Sequence, residues 1–421
     1  MNADEPGGSD DLLTRIVTED RARLIGALAR WCGDLQRAED GFSDAIEAAL
    51  KTWPSTPPRN PHAWIITVAR NRIRDVARSA ASRTSRTLTD EINDSLVADL
   101  RPGKDDTLAL LFACAHPALD RSVHAPLILQ VAMGVSTIDI ATAFALPVAT
   151  LSKRLVRAKQ KLRANRASFE IPERVEHDRV QAVLDAVYAA YAVSWMRISP
   201  PGATELVVED AVHASQLLLR ECPDNHEVRG LASLLLFLHS RASTRILDGC
   251  LVPLEQQNPL GWDHRLIARG NQILHGCLGY PRHGDPGPYE LQAAIQAAHS
   301  TRVEGTYPPW PVIAQLYNAL IAQTPSMGAH VARSVAIAHA VDVATGLAEL
   351  DALPKRFPSI DSFQAFHAAK GALLQDDGQT TAARESLIRA LDLCTDIPGR
   401  NYLRRAIDRL PGSHGTAHRV S

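Results

Sequence analysis

Between residues 153 and 166 the chain places seven basic side chains and no acidic one, and between 70 and 86 six arginines against Asp75 alone. Positive charge gathered on short stretches neutralises phosphate, so nucleic-acid binding is the first chemistry these residues offer. The first run lies in VATLSKRLVRAKQKLR, where Leu151, Leu155 and Leu162 share a helical face and Lys153, Arg154, Arg157, Lys159 and Lys161 surround the rest. Ahead of it, Ser136 can cap a short helix TIDIATAF with Ile138, Ile140, Ala141 and Phe144 as its apolar positions, and Ala145-Leu146-Pro147 supplies a tight turn. Residues 136–163 thus have the form of a helix-turn-helix. Its second helix would set N-terminal side chains against base edges and later basic residues on phosphates. Thr150, Ser152, Lys153 and Arg154 are the expected readers, with Arg157 and Lys161 beyond them. As a pattern by itself the hairpin serves plain packing equally well.

Several elements must hold this pair in place. From Leu12 to Trp53 apolar residues recur at spacings of three and four, through Leu24, Ile25 and Leu28 and then Phe42, Ala45, Ile46 and Leu50. Four prolines between Trp53 and Pro61 exclude a helix interior there. Asn60-Pro61 reads as an N-cap followed by a first-turn proline. The helix HAWIITVARNRIRDVARSAASR then turns Trp64, Ile65, Val68, Ile73 and Val76 inward and Arg70, Asn71, Arg74 and Arg78 outward. Trp53 and Trp64 are expected to pack in the core. The expected organisation is a polar tail over 1–11, a helical module over 12–85, a linker over 86–104, a second module over 105–170, a helical extension over 173–410 and a tail over 411–421. No strand-like alternation persists, so the fold class is all-α.

Composition agrees with a multidomain helical protein: 421 residues, 45% hydrophobic, 5% aromatic. The net charge is −2, but residues 1–166 carry 23 basic against 20 acidic side chains (+3) and the remainder 22 against 27 (−5). Six cysteines lie far apart with no CxxC pair, as reduced thiols of a cytoplasmic protein do. The apolar run LASLLLFL is flanked by Arg229, His239 and Arg241 and is too short to span a membrane. HExxH, GxxxxGK[ST], GxGxxG and GxSxG patterns are missing, so no enzyme, cofactor or metal is expected. His275 and Cys277 are close in sequence but read as surface and core.

The phrases AEDGFSDAIEAALKTW, NPHAWIITVARNR and TLSKRLVRAKQKLR, in this order and separation, resemble an extracytoplasmic-function sigma factor of RNA polymerase. DDTLALLFACAHPAL and GPYELQAAIQAAH resemble the subgroup with a tetratricopeptide-like extension. The resemblance implies that the first module is sigma region two and the helix-turn-helix region four. It places Asp34, Glu39, Asp40, Asp44 and Glu47 on the helix that docks on the β′ clamp helices of core polymerase, with the β flap as a second contact. It also places Arg59, Asn60 and His62 in the loop that holds an unstacked base of the minus-ten element, with Asn71 and Arg74 beside it. The region-four readers would take the minus-thirty-five element. From the residues themselves, AFHAAKGALLQDDGQTTAARESLIRALDL (365–393) has the spacing of one tetratricopeptide repeat, with weaker hairpins near 205–240 and 310–350. The extension is expected to regulate the sigma domains through intrachain contact. Two other readings stay open: a helix-turn-helix regulator with an effector domain, and a tetratricopeptide scaffold.

Overall fold

The computed structural model describes residues 9–54, 58–83, 106–144, 146–172, 176–196, 203–279, 284–303 and 306–411. The expected linker, Ala145 of the expected turn and most of both expected tails lie outside the described residues. The chain forms two compact units, one of Met1–Trp195 with Ser199–Glu221 and one of Met196–Ile198 with Cys222–Ser421.

The first unit starts with α1 (Ser9–Thr18), α2 (Arg21–Cys32), α3 (Leu35–Thr52) and α4 (Pro61–Arg83). Leu24, Ile25, Leu28, Phe42, Trp53 and Ile65 are its buried centre. Local chemistry sets the helix starts. Asp34 Oδ1 accepts from Gln36 N and Arg37 N at 3.0 and 3.3 Å, and Asn60 Oδ1 accepts from Ala63 N at 3.1 Å ahead of Pro61. Then come α5 (Asp106–Cys114), α6 (Arg121–Val131), α7 (Thr137–Ala143), α8 (Val148–Ala164), α9 (His177–Met196) and α10 (Ala203–Glu221). Helices α9 and α10, which the sequence reading counts with the extension, pack within the first unit: Arg179 donates from Nε and Nη2 to Phe112 O at 3.0 and 2.6 Å, and α10 packs on α1 and α5.

Two expected faces need correction. Val76 and Ile138, expected inside, are 62% and 64% exposed. Arg70, expected outside, is buried with its guanidinium 4.7 Å from the centre of the Trp31 ring, and Arg74 lies 5.6 Å from the same ring. Cation–π attraction to Trp31 offers Arg70 a place that periodicity alone does not register.

The second unit is a succession of helices: α11 (His226–His239), α12 (His264–His275), α13 (Pro288–Ser300), α14 (Trp310–Gln323), α15 (Met327–Ala340), α16 (Val343–Arg356), α17 (Gln364–Asp376), α18 (Thr380–Leu393) and α19 (Ile397–Arg409). Sequence neighbours pack pairwise, as α14 with α15 and α17 with α18. Gly378, at φ +78°, turns α17 into α18, and a Cβ at Gly371 would lie 2.7 Å from Leu387 Cγ, so the two helices meet through the expected small residue. The hairpin expected near 205–240 is divided, with α10 in the first unit and α11 in the second. A two-residue ladder joins β1 (Ile246–Leu247) to β2 (Cys250–Leu251) through Asp248-Gly249 at φ 50° and 68°. An Asp-Gly pair with positive φ at both positions is the favoured tight-hairpin turn, a signal the helical periodicity hides.

Candidate nucleic-acid and polymerase interface

Helix α8 forms with the spacing read from the sequence. Leu151, Leu155 and Leu162 are buried against α6 and α7, and Ser136 Oγ accepts from Asp139 N at 3.2 Å to start α7. Lys153, Arg154, Arg157 and Lys161 are exposed, while Thr150 and Ser152 are half-buried. Ser152 Oγ donates to Val148 O at 2.9 Å, which leaves its lone pairs, and not its proton, for a base edge. Four cations on a solvent face beside a satisfied apolar face suit a duplex groove.

On the first module, Arg59, Asn60 and Asn71 are exposed and Arg74 half-buried. His62 Nε2 lies 2.6 Å from Asp20 Oδ2, and Asp20 also pairs with Arg23, so α2 pins the imidazole at the foot of α4. Trp53 is 1% exposed and meets Trp64 edge-on with ring centres 5.5 Å apart, a core contact under the loop. Residues 55–57 of that loop lie outside the described residues.

Helix α3 carries acid on two faces. Asp40, Asp44 and Glu47 are exposed and follow at four and three residues, one stripe along the helix. Glu47 is held below the usual carboxylate range by its hydrogen bond from Lys51, at 2.5 Å. Asp34 and Glu39, read from the sequence as part of the same surface, are buried. Glu39 Oε2 stands 2.8 Å from Lys159 Nζ of α8, and Asp34 Oδ2 3.3 Å from Arg163 Nε. The structure therefore gathers Asp34 and Glu39 with the helix-turn-helix and leaves Asp40, Asp44 and Glu47 facing solvent.

Beside α1 and α10 lies a cleft of about 450 Å³ lined by Glu19, Asp20, Arg23, Asp210, His213 and Arg220 among others. Burial pushes the Asp210 carboxyl up to about 8, with Glu19, Glu209 and Asp20 adding repulsion, so it is mostly neutral at pH 7. In the second unit, ligand atoms of His226, Cys277 and Glu290 lie within 4.8 Å of one another. His226 Nδ1 and Glu290 Oε2 are 4.0 Å apart, wider than the roughly 3.3 Å between two ligands held at about 2.0 Å on a tetrahedral zinc. Glu227 beside them accepts from Tyr289 N and Glu290 N, both at 3.0 Å, and so caps the start of α13. Among the described residues no helix is long and apolar enough to cross a membrane.

Residues 16–83 match the family described as Sigma-70 region 2, and residues 179–278 match a family of unknown function, DUF6596. The chain is 34% identical over 408 residues to the uncharacterized protein R00370 of Rhizobium meliloti (strain 1021), an alignment covering 94% of this chain and 95% of that protein. No solved structure matches.

Proposed function

We propose that this chain, which belongs to the family of the Rhizobium meliloti protein R00370 and matches Sigma-70 region 2 over residues 16–83, is an extracytoplasmic-function type sigma factor directing promoter-specific initiation. The observation that carries the reading is the Sigma-70 region 2 match over α2–α4, followed at the expected separation by a helix-turn-helix with an exposed basic face. In this reading Asp40, Asp44 and Glu47 meet the β′ clamp helices, and region four meets the β flap. Arg59, Asn60, His62, Asn71 and Arg74 serve the minus-ten element, and Thr150, Ser152, Lys153, Arg154, Arg157 and Lys161 the minus-thirty-five element. The second unit is a tetratricopeptide-like regulatory extension acting in the cytoplasm, with no enzymatic step.

Lys153 and Arg154 lie in the N-terminal half of α8, on the side offered to base edges, whereas Lys161 lies two turns on, over the backbone. Lys153→Ala and Arg154→Ala should each cost about 1–3 kcal/mol of discrimination between a selected minus-thirty-five duplex and a random one. Lys161→Ala should weaken both duplexes alike. Gel-shift titrations with the polymerase-bound chain test this, and equal losses on both duplexes for all three variants would sink the assignment.

A further inference from the structure

Residues 240–263, between α11 and α12, form only the β1–β2 hairpin and short turns, and they run over helices far along the chain. Arg302, just past α13, donates to Leu254 O at 3.0 Å, to Glu255 O at 2.8 Å and to Gln257 O. His339 Nε2, in the last turn of α15, stands 3.4 Å from Glu255 Oε2. Asn401 Nδ2 of α19 donates to Gly249 O at 2.9 Å, and α19 packs along β2. Burial raises the carboxyl of Asp376, the last residue of α17, and the nearby charges of His339 and Glu255 act on it in opposite senses. Helices α13, α15, α17 and α19 are every second helix of the unit. In a stack of helical hairpins alternate helices line one face, and such stacks offer that face to ligands.

The grip is that of a receptor on a peptide. Arg302 and Asn401 close on main-chain carbonyls, which holds an extended chain whatever its sequence, and His339 adds selectivity by favouring an acid. The hydrogen bond between them holds Glu255 below the usual carboxylate range and lifts His339 above that of a free imidazole. The segment is laid on the face more than built into it. Cys250 and Gln257 anchor it as buried residues, but Asp248, Gly249, Glu255 and Gln256 are exposed. Its backbone bonds to itself, Val252 N to Arg245 O and Gln256 N to Pro253 O, both at 2.8 Å. Beside Glu255 opens a cleft of about 350 Å³, lined by Asn258, Tyr307, Pro308, Trp310 and His339 among others. A second chain can take hold there before the first lets go.

We propose that the face of α13, α15, α17 and α19 is a receptor for an extended peptide carrying a carboxylate, and that residues 246–258 are its resident ligand, displaced by a partner's peptide of the same chemistry. A tethered ligand acts at an effective concentration of about millimolar, so the open face is a minor state. An outside peptide then binds with an affinity reduced by the open fraction. The assignment goes beyond the sigma reading and stands on the second unit alone, so neither falls with the other.

The probe is a fluorescent peptide with blocked ends that copies residues 251–258, titrated against the full chain. Leu254→Gly with Glu255→Gly loosens the resident segment and leaves Arg302, His339 and Asn401 in place. The peptide should bind this variant at least about tenfold more tightly than wild type, with circular dichroism unchanged. Adding His339→Ala to the variant, or Glu255→Gln to the peptide, should each cost about threefold, the worth of an exposed ion pair. In the wild-type chain the amides of Val252, Gln256 and Gln257 should exchange with solvent at least about tenfold faster than those inside α13 and α15, since the segment leaves the face while the helices stay folded. Equal binding by wild type and variant, or binding indifferent to His339 and to the peptide's glutamate, overturns the proposal. So does segment exchange that matches the helices, or helicity lost in the variant, since either result makes residues 246–258 part of the core.

Discussion

Reversing charge at Asp40 and Asp44 together, as Asp40→Lys with Asp44→Lys, should weaken association with core RNA polymerase more than about tenfold and leave the fold intact. Both carboxylates are exposed on α3, one helical turn apart, and Glu47 extends the same stripe. The double change shifts that stripe by four charge units, turning attraction toward a basic partner into repulsion. Each tenfold loss corresponds to about 1.4 kcal/mol. Exposed substitutions away from caps and cores change stability by about 0.5 kcal/mol or less, so the loss belongs to the interface. The loss should shrink as salt is raised, because exposed charges are screened beyond about 8 Å at physiological ionic strength. Fluorescence anisotropy of labelled chain titrated with core polymerase measures it. Equal affinity at low salt would remove this stripe from the docking surface.

Arg302→Met should cost the second unit roughly 3–5 kcal/mol. Arg302 is 8% exposed and donates to three backbone carbonyls of the segment before α12: Leu254 O at 3.0 Å, Glu255 O at 2.8 Å and Gln257 O. Its guanidinium also lies 5.1 Å from the Trp262 ring centre. Methionine keeps the bulk and deletes every donor, and a buried carbonyl left unpaired costs about 1–3 kcal/mol. Part of the sum returns where water enters, which keeps the total near the lower end of three such losses. Against a domain stability of about 5–15 kcal/mol this is a large share. The expected signature in scanning calorimetry is a drop of roughly 10 °C in the transition of the second unit, with the first unit's transition unmoved. A shift below about 2 °C would show that the segment 254–257 does not depend on these bonds.

What the sequence made legible was whatever depends on neighbours within a turn or two. The Asn60 cap before Pro61, the Ser136 cap and the buried row Leu151, Leu155 and Leu162 are local patterns with local causes, and the Gly371–Leu387 approach across α17 and α18 follows from the spacing of a single helical hairpin. Four features were not legible because their causes are distant in the chain. Lys159 reads as one more solvent cation until Glu39, 120 residues earlier, is brought under it. Arg70 reads as solvent-facing until Trp31 supplies a ring face. Asp34 and Glu39 share an acidic helix with Asp40, Asp44 and Glu47, and periodicity assigns faces without saying which face another module covers. Helices α9 and α10 follow Pro172, a natural stopping signal, yet Arg179 ties α9 to the carbonyl of Phe112.

If this chain lets core polymerase choose promoters, transcription in vitro from a library of promoter-bearing templates, with core polymerase and the full chain, will show it. Run-off products should require the chain and should come from templates sharing one minus-thirty-five and minus-ten pair, with Lys153→Ala and Arg154→Ala relaxing the choice at the upstream element. Initiation no greater than with core polymerase alone, while the chain still binds duplex DNA, would contradict it and leave a helix-turn-helix regulator that works without polymerase.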